Sequence, residues 1–131
     1  MSLQRPISDA VSAAAQGEVE RIVRDVQGVI VAVISTLDGF EVASAMRGKS
    51  DPARVAAMSS SIFAISDVVA DEACLGRQNS VIIQAQSGFA IFCGVPRRDV
   101  ELVVNVVAGE EAVLALSLYR AVEVARKLAR A

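Results

Sequence analysis

The chain has no histidine, and only two of its 131 residues are cysteines. Without imidazole it lacks the side chain that most often moves protons near neutral pH and the commonest nitrogen ligand for metals. Cys74 and Cys93 are too few for a zinc site, and a disulfide is not expected in a cytosolic protein, so both read as small buried apolar residues. A basic excess is also missing. Thirteen Lys and Arg against fifteen Asp and Glu leave a net charge of −2 and a pI near 5.1, which argues against a nucleic-acid footprint. Glycines occur at Gly39, Gly48, Gly76, Gly88, Gly94 and Gly109, where turns and element ends are expected. Gly48-Lys49-Ser50 lacks the upstream glycine of a phosphate-cradling loop. Asp67, Asp71 and Glu72 could in principle share acid–base work, but they read as a solvated helix face. No catalytic, cofactor-binding or metal-ligating residue is assigned, no cofactor is expected, and an enzyme is not the expectation. The amino terminus shows no basic-then-apolar leader, Met1-Ser2-Leu3 carry no inference, and the cytoplasm is the expected location. No segment is expected to insert in a membrane. Gln78 to Pro96 is uncharged and long enough, but Gln84, Gln86 and Ser87-Gly88 interrupt it and Pro96 ends it.

What the chain has is apolar mass, 53% hydrophobic residues with a mean hydropathy of +0.48. At this length it forms one domain, 1–131, with a core over about 18–120. From Val55 to Ser66 there is no charged side chain, in a stretch that reads as helix. Val55, Met58, Ile62, Ile65 and Val69 follow 3-4-3-4 spacing and predict a bulky apolar face. The reverse face, which should be polar, carries Ala57, Ser60, Ser61, Ala64 and Val68, and Phe63 could belong to either. A helix uncharged all round is normally covered all round. In so short a chain one cover is its own sheet and the other is most simply a second molecule. The competing arrangement, a monomer whose loops cover the second face, has few residues left to build it.

The remaining elements follow from local signals. Ser8 or Asp9 caps a first helix to about Val26, with Val19, Ile22, Val23 and Val26 buried and Gly17 marking a possible break. Val29 to Ile34 is apolar on both alternating faces and predicts a central strand; Asp38-Gly39 turns the chain, and Phe40 to Met46 returns near an edge. Asp51-Pro52 opens the uncharged helix, which Gly76 stops after about Cys74. Ser80 to Gln86 and Phe89 to Val95 form a second hairpin around Ser87-Gly88, and Val100 to Val107 is an interior fifth strand. A last helix, Glu110 to about Arg130, is acidic at its start, basic at its end, and apolar along Leu114, Leu118, Val122, Ala125 and Leu128. Glu123 and Lys127 are placed as an i,i+4 pair on its exposed side. Short hairpins make the sheet antiparallel, and strands apolar on both faces require helices on both sides: a three-layer α/β (α+β) fold.

This order, with three local features, resembles the roadblock/dynein light chain family in its bacterial branch, whose members work with small Ras-like GTPases. The features are the hairpin Val33-Ile34-Ser35-Thr36-Leu37-Asp38-Gly39-Phe40-Glu41-Val42-Ala43, the helix opening Arg54-Val55-Ala56-Ala57-Met58, and Gln84 to Gly88 followed by Phe89. The resemblance runs from about Glu18 to Arg120. It implies a profilin-like, five-stranded antiparallel sheet in the order 2-1-5-4-3, the middle helix on one face and the terminal helices on the other. It also implies a homodimer in which the third strand pairs with its copy under two antiparallel middle helices. The expected interface is Ala57, Ser60, Ser61, Ala64 and Val68 with Ser80, Ile82 and Gln84. Independently, Ser80 to Gln86 carries none of the Lys, Pro or charge that guards an edge strand.

The function implied is a non-enzymatic homodimeric regulator or scaffold that binds a small Ras-like GTPase and modulates its nucleotide cycle or localisation. Arg97 and Arg98 at one turn, and Arg47 and Lys49 before the middle helix, are candidate partner-binding residues or ordinary turn residues. The alternative is a profilin-like sensory or small-molecule-binding module, for which Asn105 on an interior strand is the polar candidate. That residue more simply satisfies a backbone or helix-end group.

Overall fold

The computed structural model describes residues 7–131, so the readings placed on Met1-Ser2-Leu3 and on a leader lie outside it. The elements are α1 (Asp9–Asp25), β1 (Val29–Thr36), β2 (Glu41–Met46), α2 (Pro52–Glu72), β3 (Ser80–Ala85), β4 (Gly88–Val95), β5 (Leu102–Gly109) and α3 (Leu114–Arg130). The five strands form one antiparallel sheet in the order β2-β1-β5-β4-β3, as expected. Helices α1 and α3 lie on one face and α2 on the other.

Local chemistry explains most boundaries. The Ser8 hydroxyl accepts from the Val11 amide and starts α1. The helix runs through Gly17 without a break, because its hydrophobic stripe Val11, Ala15, Val19, Ile22 and Val23 holds both halves on the sheet. Asp51 caps α2 through the Arg54 amide, with Pro52 in the first turn. The end of α2 differs from expectation. Cys74 already takes the left-handed conformation (φ 57°), two residues before Gly76 (φ 82°), while the Leu75 amide reaches the Ala70 carbonyl and the Cys74 amide reaches Asp71. That is a Schellman ending with cysteine where glycine is usual. The second hairpin closes on Gln86-Ser87 one residue earlier than expected, with Ala85 opposite Gly88. A Cβ at Gly88 would lie 2.0 Å from the Ala108 carbonyl oxygen, so only glycine fits there.

The fifth strand starts and ends two residues later than the apolar pattern suggested. Consequently Glu110 and Glu111 sit in a turn closed by the Ala112 amide on the Gly109 carbonyl, and not in α3. The acidic helix start is therefore absent, whereas the basic end, Lys127 and Arg130, is present. The expected Glu123–Lys127 pair is also replaced: Glu123 faces Arg120 at 3.5 Å, and Lys127 reaches Glu18 at 3.4 Å.

The face under α1 and α3 is one continuous core. Ile34, Ile91, Leu102, Val104 and Val106 from the strands meet Val19, Ile22, Val124 and Leu128 from the helices. Buried Glu18 ties the two helices by accepting from Arg21 (2.8 Å) and Lys127. Burial alone would raise its carboxyl, but the Arg21 hydrogen bond and the Lys127 and Arg21 charges hold it below the usual range. Cys93 belongs to this core, and burial pushes its thiol up to about 11. Cys74, expected to be buried, is exposed at the end of α2.

Candidate interaction face

The other face is built differently. Two small apolar clusters hold α2: Val31, Val33 and Ala56 at one end, and Phe63, Phe92 and Val103 at the other. Between them lies buried polar chemistry. Asn105 Nδ2 donates to the Val33 carbonyl (3.0 Å), Ser35 Oγ (3.0 Å) and the Val103 carbonyl, and Ser35 Oγ meets Ser59 Oγ at 3.3 Å. The Asn105 amide thus serves backbone and a hydroxyl, and its Oδ1 is buried with no partner. The helix contacts its sheet through the buried Ala56, Ser59 and Phe63, and of the bulky 3-4-3-4 residues only Val55 and Ile62 pack, half-buried, against the same clusters. Met58, Ile65 and Val69, expected on the covered face, point outward at 50%, 67% and 60% exposure. The phase is rotated because the helix approaches closely at Ala56 and Ser59, and one large ring, Phe63, fills the remaining gap.

The outward side of α2 is therefore apolar. Met58, Ile65, Val68, Val69 and, just beyond the helix, Leu75 are exposed large hydrophobics among the described residues. Exposed apolar residues gathered on one helix are a feature of interaction surfaces in general. By length and composition alone α2 is long and apolar enough to cross a bilayer, a property that helices packed in folded domains share. In this fold its other side lies on the sheet through Ala56, Ser59 and Phe63. Of the residues expected at an interface, Ala57, Ser61, Ala64 and Val68 are exposed on this side, and Ser60 is half-buried. Ser80, Ile82 and Gln84 are exposed on β3.

The two sheet edges differ in the same sense. At β2 the Gln16 side chain of α1 donates to the Ser44 carbonyl (2.9 Å) and accepts from the Ser44 amide, so the outer backbone is occupied. No side-chain hydrogen bond of this kind reaches β3 among the described residues. Every β3 residue is at least partly exposed, including Ile82 and Ile83. Such a strand is open to pairing with another chain.

The arginines separate into two groups. The Arg97 side chain is only 7% exposed, and its guanidinium donates to Asp99 (2.9 Å) and to the Leu128 and Ala131 carbonyls at the end of α3. That guanidinium, together with the Val100 amide, lowers the Asp99 carboxyl to about 2. Arg47 likewise donates to the Val23 (2.6 Å) and Arg24 carbonyls at the end of α1. Both cap helix ends; the Arg97 side chain is buried in doing so, whereas Arg47, like Lys49 and Arg98, is exposed.

A cavity of about 370 Å³ opens where the β1–β2 turn, α2 and the β4–β5 turn converge. Phe63, Leu37 and Val95 form its apolar wall, and Asp67 and the Arg77–Glu101 ion pair stand at its rim. Gln78 is held beside it by donating to the Phe63 carbonyl (2.8 Å) and bonding Ser66. Sequence periodicity had no means to find this cavity, because its wall is assembled from five separate segments.

Solved structures place this geometry. The gliding protein MglB from Thermus thermophilus superposes with a TM-score of 0.86 at 16% identity, over 99% of this chain and 96% of that one. A roadblock/LC7 domain from Streptomyces avermitilis gives 0.76 at 17% identity, over 86% and 92%. Profilin II from Acanthamoeba castellanii gives 0.55 at 16% identity, over 88% and 97%. No protein-family model and no curated protein matches the chain. The fold is thus the profilin-like roadblock/LC7 fold, in the form seen in MglB.

Proposed function

We propose that this roadblock-fold chain is a non-enzymatic homodimeric regulator or scaffold for a small Ras-like GTPase. The observation that carries the self-association is the pairing of an uncovered apolar helix side with an unguarded edge strand next to it. Joined along β3, two copies extend one sheet to ten strands, and the two α2 helices lie side by side over the join. The seam is formed by Ala57, Ser60, Ser61, Ala64 and Val68 with Ser80, Ile82 and Gln84, small or neutral residues that let the backbones approach. The GTPase comes from the family resemblance, and the MglB-like fold supports it. A composite dimer surface can favour one arrangement of a GTPase's switch loops through differential affinity alone, with no inserted catalytic residue. Of the four candidate basic residues, Arg47, Lys49 and Arg98 are exposed towards such a partner. The test is capture of the small GTPase encoded beside this chain's gene, loaded with GDP or with a non-hydrolysable GTP analogue. Binding in at least one state is expected, and no binding in either contradicts the reading.

A second reading, a small-molecule module, is favoured by the cavity beside Phe63, whose size falls in the range of ligand sites. Two carboxylates and one guanidinium at its rim suit a cationic group on an apolar body. Native mass spectrometry showing a bound amine would support it, and a ligand-free spectrum would count against it.

A further inference from the structure

The cavity beside Phe63 has a direction. Phe63, Val95 and Leu102 of its wall are buried, whereas Asp67, Arg77 and Asn79 at its mouth are exposed. Gly94 lines it without a left-handed φ, so the backbone there does not call for glycine. A Cβ at that position would come within 3.2 Å of the Phe63 ring, and its absence keeps the space open. Polar groups in the lining stand unengaged. Arg77 neutralises Glu101, but Asp67 has no ion pair among the described residues. The side chains of Ser60 and Asn79 likewise make no hydrogen bond among them. Ser60 and Asp67, seven positions apart, share one side of α2. Asp71 follows, and the last turn of this helix holds no basic residue where its carbonyl pole adds negative potential.

We infer that this cavity takes a free organic amine, its apolar body against Phe63 and its ammonium on the Asp67 carboxylate. Ser60 and Asn79 supply the remaining hydrogen bonds. This narrows the small-molecule reading, on which it rests, to one ligand class and one anchoring carboxylate. Charge fixes the class, since the unengaged ionised group in the lining is an anion. The direction of the cavity fixes the source. A lysine or arginine side chain of another protein would enter head first, burying its cation against Phe63 and Val95. A free amine enters apolar end first and keeps its charge at the wet mouth. A ring-bearing body gains most, because Phe63 offers it an aromatic partner.

The experiment titrates the isotope-labelled whole chain with phenethylamine, following the amide resonances of Ser60, Ala64, Asn79 and Gly94. Saturable shifts at these four are expected, with a Kd on the order of 1 mM for so small a probe. Phenethyl alcohol and hydrocinnamate, carrying the same ring on a neutral and an anionic end, should bind at least about tenfold more weakly. Asp67→Asn, with folding checked by circular dichroism, should weaken the amine about tenfold and leave the alcohol unchanged. Replacing the neutral pair together, Arg77→Gln with Glu101→Gln, should change amine affinity less than about twofold. Amine binding untouched by Asp67→Asn, or equal binding of the alcohol, overturns the inference while the small-molecule reading stands. Tighter binding of an acetylated, amidated phenylalanyl-lysine dipeptide overturns it in favour of a protein segment. Absence of saturable shifts with every probe overturns it outright, and a different molecule in the native mass spectrum of the purified chain would then keep the small-molecule reading alone.

Discussion

The two faces of this sheet are held by different means. Under α1 and α3 a continuous set of Ile, Val and Leu side chains closes against two helices, and charged ties at Glu18 and Arg97 fasten the helix layer. Under α2 two three-residue apolar clusters are split by Asn105, Ser35 and Ser59, while Met58, Ile65, Val68 and Val69 of the helix face outward. The edges repeat the contrast, with Gln16 occupying β2 and nothing comparable on β3 among the described residues. The α1/α3 side buries a continuous core, although Leu116 and Tyr119 of α3 stay exposed. The α2 side has the composition of an interior and the exposure of a surface, which is what the proposed self-association would cover.

The largest test of that contrast is Ile34→Ala. It opens a cavity in the continuous core, and a loss of about 4 kcal/mol is expected in denaturant titration, with the same loss at every protein concentration. Next is Ala64→Glu, at an exposed position of α2 where a single chain has room for the side chain. It should leave the far face intact yet cost the dimer about 3 kcal/mol or more by burying unpaired charge, giving monomer or aggregate in light scattering. Unchanged association would show that the seam lies elsewhere.

Acid should act on the α1/α3 side. Asp99 and Glu18 have carboxyls below their ordinary values of 3.8 and 4.5, so the unfolded chain binds more protons than the folded one in that window. Their stabilisation is present at neutral pH. For Asp99 it is lost as pH falls from 3.8 towards about 2. Thermal melts of Asp99→Asn should therefore show a weaker pH dependence than wild type in that range; an identical profile would mean the Arg97 clamp contributes little. The smallest effect expected is a gain. Gly17 is helical, and a Cβ there would meet only the Arg21 guanidinium at ordinary contact distance (3.5 Å), so Gly17→Ala should add about 0.5–1 kcal/mol to stability. Because α1 lies on the far face, dimer affinity should not change.

Much of this architecture was legible in local chemistry. Val29 to Ile34 announced a strand buried on both sides, Asp51-Pro52 a helix start, and the element order a three-layer fold. The sheet order came from the family resemblance, since nothing local says which strands are neighbours. The rotation of α2 was not legible, because both of its faces are apolar and periodicity cannot choose between them. Only the three-dimensional need for close approach put Ala56 and Ser59 inside. Arg97 looked like a solvated turn residue because the carbonyl it caps, on Leu128, is thirty-one positions away. The start of α3 was misplaced for a simpler reason. Glu110 and Glu111 suit a helix start by charge, yet the turn on Gly109 uses them first.

Multi-angle light scattering of the wild-type chain at roughly tens of micromolar, where a specific homodimer of ordinary affinity is populated, weighs most directly on whether α2 and β3 are covered by a second copy. A mass twice 13.7 kDa is the predicted result. A clean monomer at that concentration, with the far-face core intact, would contradict it.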